Sequence, residues 1–313
     1  MEKYYGYDYG EIRYHTKKKT SVYEFPHPMD NDCLVGHQRT MNAFMDAWNH
    51  RNEHPIHPVW MLTGPRGIGK ATLAYKIAKM VYGNVGDFFI IDLDRNVDKD
   101  GKIKPDGKSI SVYTVRATIE KMRMSSMSGE WRVVLIDSVD ALTVAAANAI
   151  LKLLEEPPAK TLFLLVTHQL SNVLPTVRSR ARVEKMHPLS IDELRQLCAR
   201  FMPDDVISTE TLRLANGSFG RIANLKQYGG DEIYDTLVEM VSNKKTTASD
   251  VMSVSKQIAP EPELYGILLD VIAHFGLADL YPMATIAIND IKRVNLEPEI
   301  SIFKIIQEIR TCL

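Results

Sequence analysis

The stretch VWMLTGPRGIGKATLAYKIAKM, residues 59–80, constrains this chain more than any other. An apolar run, a glycine-rich turn and an amphipathic helical segment follow in the order of a phosphate-binding loop. In such a loop the backbone N–H groups and the helix N-terminus form a concave anion site. Gly64, Gly67, Gly69 and Lys70 occupy the loop, and Lys70 is the cation for terminal phosphates. The residue after Lys70 is Ala71, where the pattern calls for a Ser or Thr hydroxyl on Mg²⁺. Thr72 is one residue further round the helix, about 100° away, and does not replace it.

Five short apolar runs mark a sheet. VWMLT (59–63), DFFIID (87–92), WRVVLID (131–137), TLFLLVT (161–167) and ARVEKM (181–186) alternate with helical segments. Runs apolar on both faces fit a parallel sheet covered by helices, an α/β layer. Before them, Met41, Phe44, Met45 and Trp48 recur at helical spacing. Residues 1 to about 30 read as an irregular arm, broken by Pro26 and Pro28. From Ser190 onward the pattern is helical, opening on a capping box of Ser190 and Glu193. The expected organisation is an α/β domain at 1–189, a small helical domain at 190–245 and a helical C-terminal domain at 246–313.

The second chemical motif is WRVVLIDSVDAL. An apolar strand ending in Asp137 delivers a carboxylate to the C-terminal edge of the sheet, beside the loop, where a Mg²⁺-positioning acid is needed. A strand-end cap is the plainer role for Asp137. Ser138 follows it, and a serine hydroxyl has no base strength near neutral pH. Asp140 is a substitute base only if it does not lie beyond the strand tip.

Composition excludes several classes. Net charge is −1 and the pI is about 6.8, so the chain as a whole is not a polyanion binder. No apolar run reaches the ~18 residues of a membrane span, and the first twenty residues carry no secretory apolar segment. Cys33, Cys198 and Cys312 are dispersed, which suggests reduced thiols in a cytoplasmic protein with no C-x-x-C metal site. Two metal-like patterns fail on inspection. Asn96, Asp98, Asp100, Gly101 and Ile103 follow calcium-loop spacing, but Gly107 stands where a bidentate Glu is required, so a solvated hairpin is expected. His50, His54 and His57 are separated by Pro55 and adjoin Pro58, which break the helix that would align them.

Several segments together resemble a known family. LVGHQRT (34–40), LTGPRGIGKATLA, AANAILKLLEEPP, LLVTHQ and LPTVRSR stand in one order over about 180 residues. Their combination is similar to the AAA+ subunits of the bacterial DNA polymerase III clamp loader, and within them to the delta-prime group. The wording GPRGIGKATLA resembles alphaproteobacterial members. The resemblance implies a P-loop AAA+ sheet flanked by helices, then a lid domain and an all-α collar that holds a ring of subunits. It implies a hetero-oligomer with other loader subunits, acting on the sliding clamp and primed DNA, with no membrane role.

The same resemblance implies residue roles. Val35 and Gly36 lie near the adenine, Thr167 senses the γ-phosphate, and Arg221 of NGSFGR reaches back from the lid to the phosphates. Arg180 matches the Arg of the family's S-R-C motif, which enters the neighbouring subunit's nucleotide site as an arginine finger. The Cys of that motif is Ala181 here. On composition alone Arg180 is a solvated loop arginine beside Arg178 and Arg182, and Arg221 is equally well a solvent-facing helix residue. Hydrolysing members carry a Glu at position 138 and commonly a four-Cys zinc module. This chain has neither, so the expected cofactor is weakly held ATP or ADP, with Mg²⁺ only alongside nucleotide and no zinc. The alternatives are a stand-alone AAA+ motor, which the missing Glu disfavours, and a scaffold that binds no nucleotide.

Overall fold

In the computed structural model the described residues are 23, 25–83, 86–104, 109–124, 130–294 and 297–313. Most of the expected N-terminal arm lies outside them, as does Gly107.

The five apolar runs form one sheet of parallel strands: β1 (Val59–Thr63), β2 (Asp87–Ile91), β3 (Arg132–Ile136), β4 (Thr161–Thr167) and β5 (Arg182–Lys185). Their spatial order is β2-β3-β4-β1-β5. Every residue of β1 and β4 is buried, which is why these strands read as continuous apolar runs without alternation. Alternate residues nevertheless serve two layers. Trp60, Leu62, Val133, Leu135 and Leu164 pack with α1 (Gln38–Asn49) and α2 (Lys70–Tyr82). Met61, Val134, Ile136, Phe163 and Leu165 face α3 (Val112–Met124) and α4 (Val144–Glu155). A short turn of helix, α5 (Pro175–Arg178), leads into β5.

The rest is helical. α6 (Ile191–Phe201), α7 (Thr209–Leu214) and α8 (Phe219–Gln227) follow the sheet, and α6 opens on the expected Ser190–Glu193 capping box. Leu189, Leu194, Leu197, Leu212 and Ile222 form a small core there. α9 (Gly230–Ser242), α10 (Ala248–Ile258), α11 (Gly266–His274), α12 (Leu280–Val294) and α13 (Pro298–Thr311) share a separate large core that also takes in Leu214 and Leu225.

The calcium-like segment is a hairpin. Val97 and Ile103 pair antiparallel, and Asp98 Oδ1 accepts from the N–H groups of Asp100 and Lys102 at 2.9 and 3.0 Å. Asn96 anchors it. Its Oδ1 accepts from Ser111 N and Thr114 Oγ1, both at 2.9 Å, and its Nδ2 donates to Ser109 O at 3.0 Å. Among the described residues no group of three or more His, Cys, Asp or Glu side chains is placed to hold a metal ion. None of the described helices is long and apolar enough to cross a membrane.

Candidate nucleotide site

Strand order decides what meets at the sheet's C-terminal edge. β3, β4 and β1 are neighbours, so their ends bring together Asp137, Thr167 and the loop after Thr63. The register pairs Thr63 with Thr167 directly. Ligands of open α/β sheets bind outside such an edge.

The loop needs its glycines. Gly64 has φ 156°, and a Cβ there would come within 2.6 Å of Met186 O. Gly67 has φ 78°, and a Cβ there would meet Ser218 Oγ at 2.4 Å. Gly69, also left-handed, is the N-cap of α2. Lys70 opens that helix, is only 3% exposed, and folds back on the loop. Its Nζ donates to Gly64 O at 2.8 Å and Pro65 O at 2.5 Å. Burial pulls its pKa down to about 8, against the opposing pull of Asp137 and Asp140. Ala71 and Thr72 follow on α2, and both are half-buried.

Asp137 is half-buried just beyond β3, its N–H donating to Ile91 O at 2.9 Å. Burial raises its carboxyl above the ordinary carboxylate range, with Asp92 adding to the rise and His168 opposing it. Ser138 takes a left-handed backbone at φ 67° and starts a short turn that carries Asp140. Asp140 Oδ2 accepts from the N–H groups of His168 and Gln169, both at 3.2 Å, bracing the tip of β4. Burial pushes the Asp140 carboxyl up, but hydrogen bonds and charge from His168 outweigh it and hold the group below its usual range. Asp140 Oδ2 is thus taken by backbone amides, while its Oδ1 is buried without a hydrogen-bond partner. Thr167 is fully buried, and its Oγ1 has no hydrogen-bond partner in the structure. A buried hydroxyl left in that state is costly.

The segment after Pro188 closes over the loop. Ser218 Oγ donates to Arg66 O at 2.8 Å, and Gly220 N donates to Gly67 O at 3.2 Å. His37 Nε2 lies 2.6 Å from Ile68 O. Val35 packs on the small core around Leu194, and a Cβ at Gly36 would meet Leu189 and Glu193, so both stand where the sheet layer and α6 meet. Phe25 reaches the same region, with ring centroids 5.3 Å from Phe219 and 6.2 Å from Phe201.

The two expected arginines are ion-paired within the chain. Arg221 Nη2 is paired with Asp270 Oδ2 on α11. Burial lifts the Asp270 carboxyl to about 6, although Arg221 pulls it down. Arg180 follows α5 and pairs with Glu155 at the end of α4. Of the histidine trio, His50 Nδ1 lies 2.9 Å from Asp46 O and His57 Nδ1 lies 2.8 Å from Val59 O, both spent on local backbone.

Sequence reasoning missed Ser218, Gly220, His37, Glu155 and Asp270. Ser218 left one readable signal, as an N-cap candidate ahead of a helix. The others act through partners distant in sequence.

A family model described as "DNA polymerase III, delta subunit" matches residues 37–190. The DNA polymerase III subunit delta' of Pseudomonas aeruginosa is 30% identical over 260 residues, spanning 71% of this chain and 76% of the relative. The subunit delta' of Escherichia coli K12 is 29% identical over 190 residues, spanning 59% of this chain and 52% of the relative. Among solved structures, a DNA polymerase III gamma subunit-related protein of Thermotoga maritima aligns over 85% of this chain and 98% of its own, with 17% identity and a TM-score of 0.48.

Proposed function

This chain belongs to the family of DNA polymerase III delta' subunits, and on that premise we propose that it is a non-hydrolysing clamp-loader subunit that lends Arg180 to its neighbour. Loading of a sliding clamp on primed DNA is the work of the assembled ring. This chain contributes an AAA+ layer, a lid and a collar, divided at 1–189, 190–245 and 246–313, with α9 packed against helices on both sides of the second boundary.

The observation that carries the reading is the state of the chain's own site. The position after Lys70 offers no hydroxyl, Ser138 offers no base, and one oxygen of Asp140 is taken by the amides of His168 and Gln169. The residues still suit a polyphosphate: the Gly64–Gly69 turn, the Lys70 ammonium and the unpartnered Thr167 hydroxyl. They suit Mg²⁺ less well, since the hydroxyl expected after Lys70 is missing. ATP or ADP bound there would be held by Lys70 and Thr167, with Val35 and Gly36 on the base side, and would not be turned over. Hydrolysis in the ring falls to neighbouring sites, where a permanently charged guanidinium stabilises transition-state charge, an effect worth ~10³–10⁵ in rate.

The test is reconstitution with the other loader subunits and assay of DNA-stimulated ATPase with Arg180→Ala. The expected outcome is an intact complex with strongly reduced turnover. An intact complex with unchanged turnover removes the finger assignment, and robust turnover by the isolated chain removes the non-hydrolysing one. A second reading, a scaffold that binds no nucleotide, is favoured by the Ser218 and Gly220 hydrogen bonds that cover the loop. Titration of an ATP analogue against wild type and Lys70→Ala separates the two, since a scaffold gives flat curves for both.

A further inference from the structure

Arg180 is held by its own chain. Its Nη1 donates to Thr176 O at 2.8 Å and lies 3.4 Å from Ser179 Oγ, and its Nη2 pairs with Glu155 Oε1. Glu155 is in turn fixed. It is the last residue of α4, follows Leu154, which is 4% exposed in the core, and precedes Pro157 and Pro158, which stop the helix. The carboxylate therefore stands on a rigid element while the arginine stands on a short turn before β5.

We propose that Glu155 is a positioning residue for Arg180, holding the guanidinium ordered at the edge of the subunit so that a neighbour's nucleotide meets a finger already in place. The inference rests on the finger reading given above. An arginine left loose samples many rotamers, and ordering it during the reaction raises the barrier. The Thr176 and Glu155 contacts remove that disorder beforehand. They engage only part of the donor fork, so the guanidinium keeps donors for a phosphate without leaving Glu155. The side chains are 32% and 48% exposed for Arg180 and Glu155. A pair this open to water contributes little to overall stability, so its value is geometric.

The test uses the full reconstituted loader with Glu155→Ala, Glu155→Gln, Arg180→Ala and the Glu155→Ala/Arg180→Ala double variant. DNA-stimulated ATPase is resolved into kcat and KM. Misplacement of a group that acts only in the transition state is expected to lower kcat by roughly tenfold in Glu155→Ala with KM unchanged. Glu155→Gln, which keeps a hydrogen-bond acceptor, falls between. In the Arg180→Ala background the Glu155 change has no further effect, because a positioning residue acts through the group it positions. Wild-type kcat in Glu155→Ala, a rise in kcat, or an equal loss in the Arg180→Ala background overturns the inference. So does loss of assembly in the alanine variant. If Arg180→Ala itself leaves turnover intact, the finger reading has failed and this inference fails with it. If Arg180→Ala is impaired and Glu155→Ala is not, the inference alone has failed.

Discussion

Ser218→Ala separates the two tasks of a single hydroxyl. Ser218 is 6% exposed and is the N-cap of α8, its Oγ accepting from Arg221 N at 3.1 Å. The same oxygen donates to Arg66 O at 2.8 Å, fastening α8 to the phosphate-binding loop. Loss of an N-cap costs about 1 kcal/mol. Loss of the second bond costs about 1 kcal/mol at most, since Arg66 is exposed and water can serve its carbonyl. The expected destabilisation is therefore about 1–2 kcal/mol, felt locally around α7 and α8. Hydrogen exchange of the α8 amides measures it. The second consequence has the opposite sign. The hydrogen bonds from Ser218 and Gly220 close the loop, and a ligand that needs it open binds with an affinity reduced by the open fraction. Weakening the closure by about 1 kcal/mol should raise apparent affinity for an ATP analogue about fivefold. Faster exchange with unchanged analogue affinity would refute the idea that α8 gates the loop. Unchanged exchange would refute the local energetics as well.

Two further outcomes follow from buried polar groups. Lys70 has a pKa of about 8, below its ordinary 10.5, because burial opposes its charge. The folded chain thus carries a penalty when Lys70 is protonated, which is absent above the unfolded value and grows as pH falls toward 8. Phosphate needs the ammonium form, so analogue affinity measured without metal should fall as pH rises through about 8, by about tenfold per unit above it; a flat profile from pH 7 to 10 would show that Lys70 makes no contact with the ligand. Asn96→Ala removes the acceptor of the Ser111 amide and one of three partners of Thr114 Oγ1, and should destabilise the hairpin segment by about 1–3 kcal/mol, read as faster proteolysis within 96–104 than in wild type.

What the sequence disclosed follows a physical division. The sheet was legible because β1 and β4 are buried on both faces, so composition alone marked them. The loop was legible because its backbone takes positive φ at Gly64 and Gly67, and that demand is local. Caps were legible for the same reason, as Ser190 and Glu193 show. The partners of charged groups were not, because a charge is assigned by what it meets after folding. Asp137 and Asp140 differ by three positions, yet one is raised by burial and the other is lowered by His168. Nothing in the sequence around Arg221 announces its partner Asp270, forty-nine positions away. Burying an arginine beside a carboxylate costs desolvation on both sides, and once paired, neither group leaves without exposing the other unpaired. Burial raises the Asp270 carboxyl to about 6, although Arg221 alongside pulls it down. Arg221 therefore acts, in this arrangement, as a tie between α8 and α11, so any motion that lifts α8 from the loop must either break that pair or carry α11 with it.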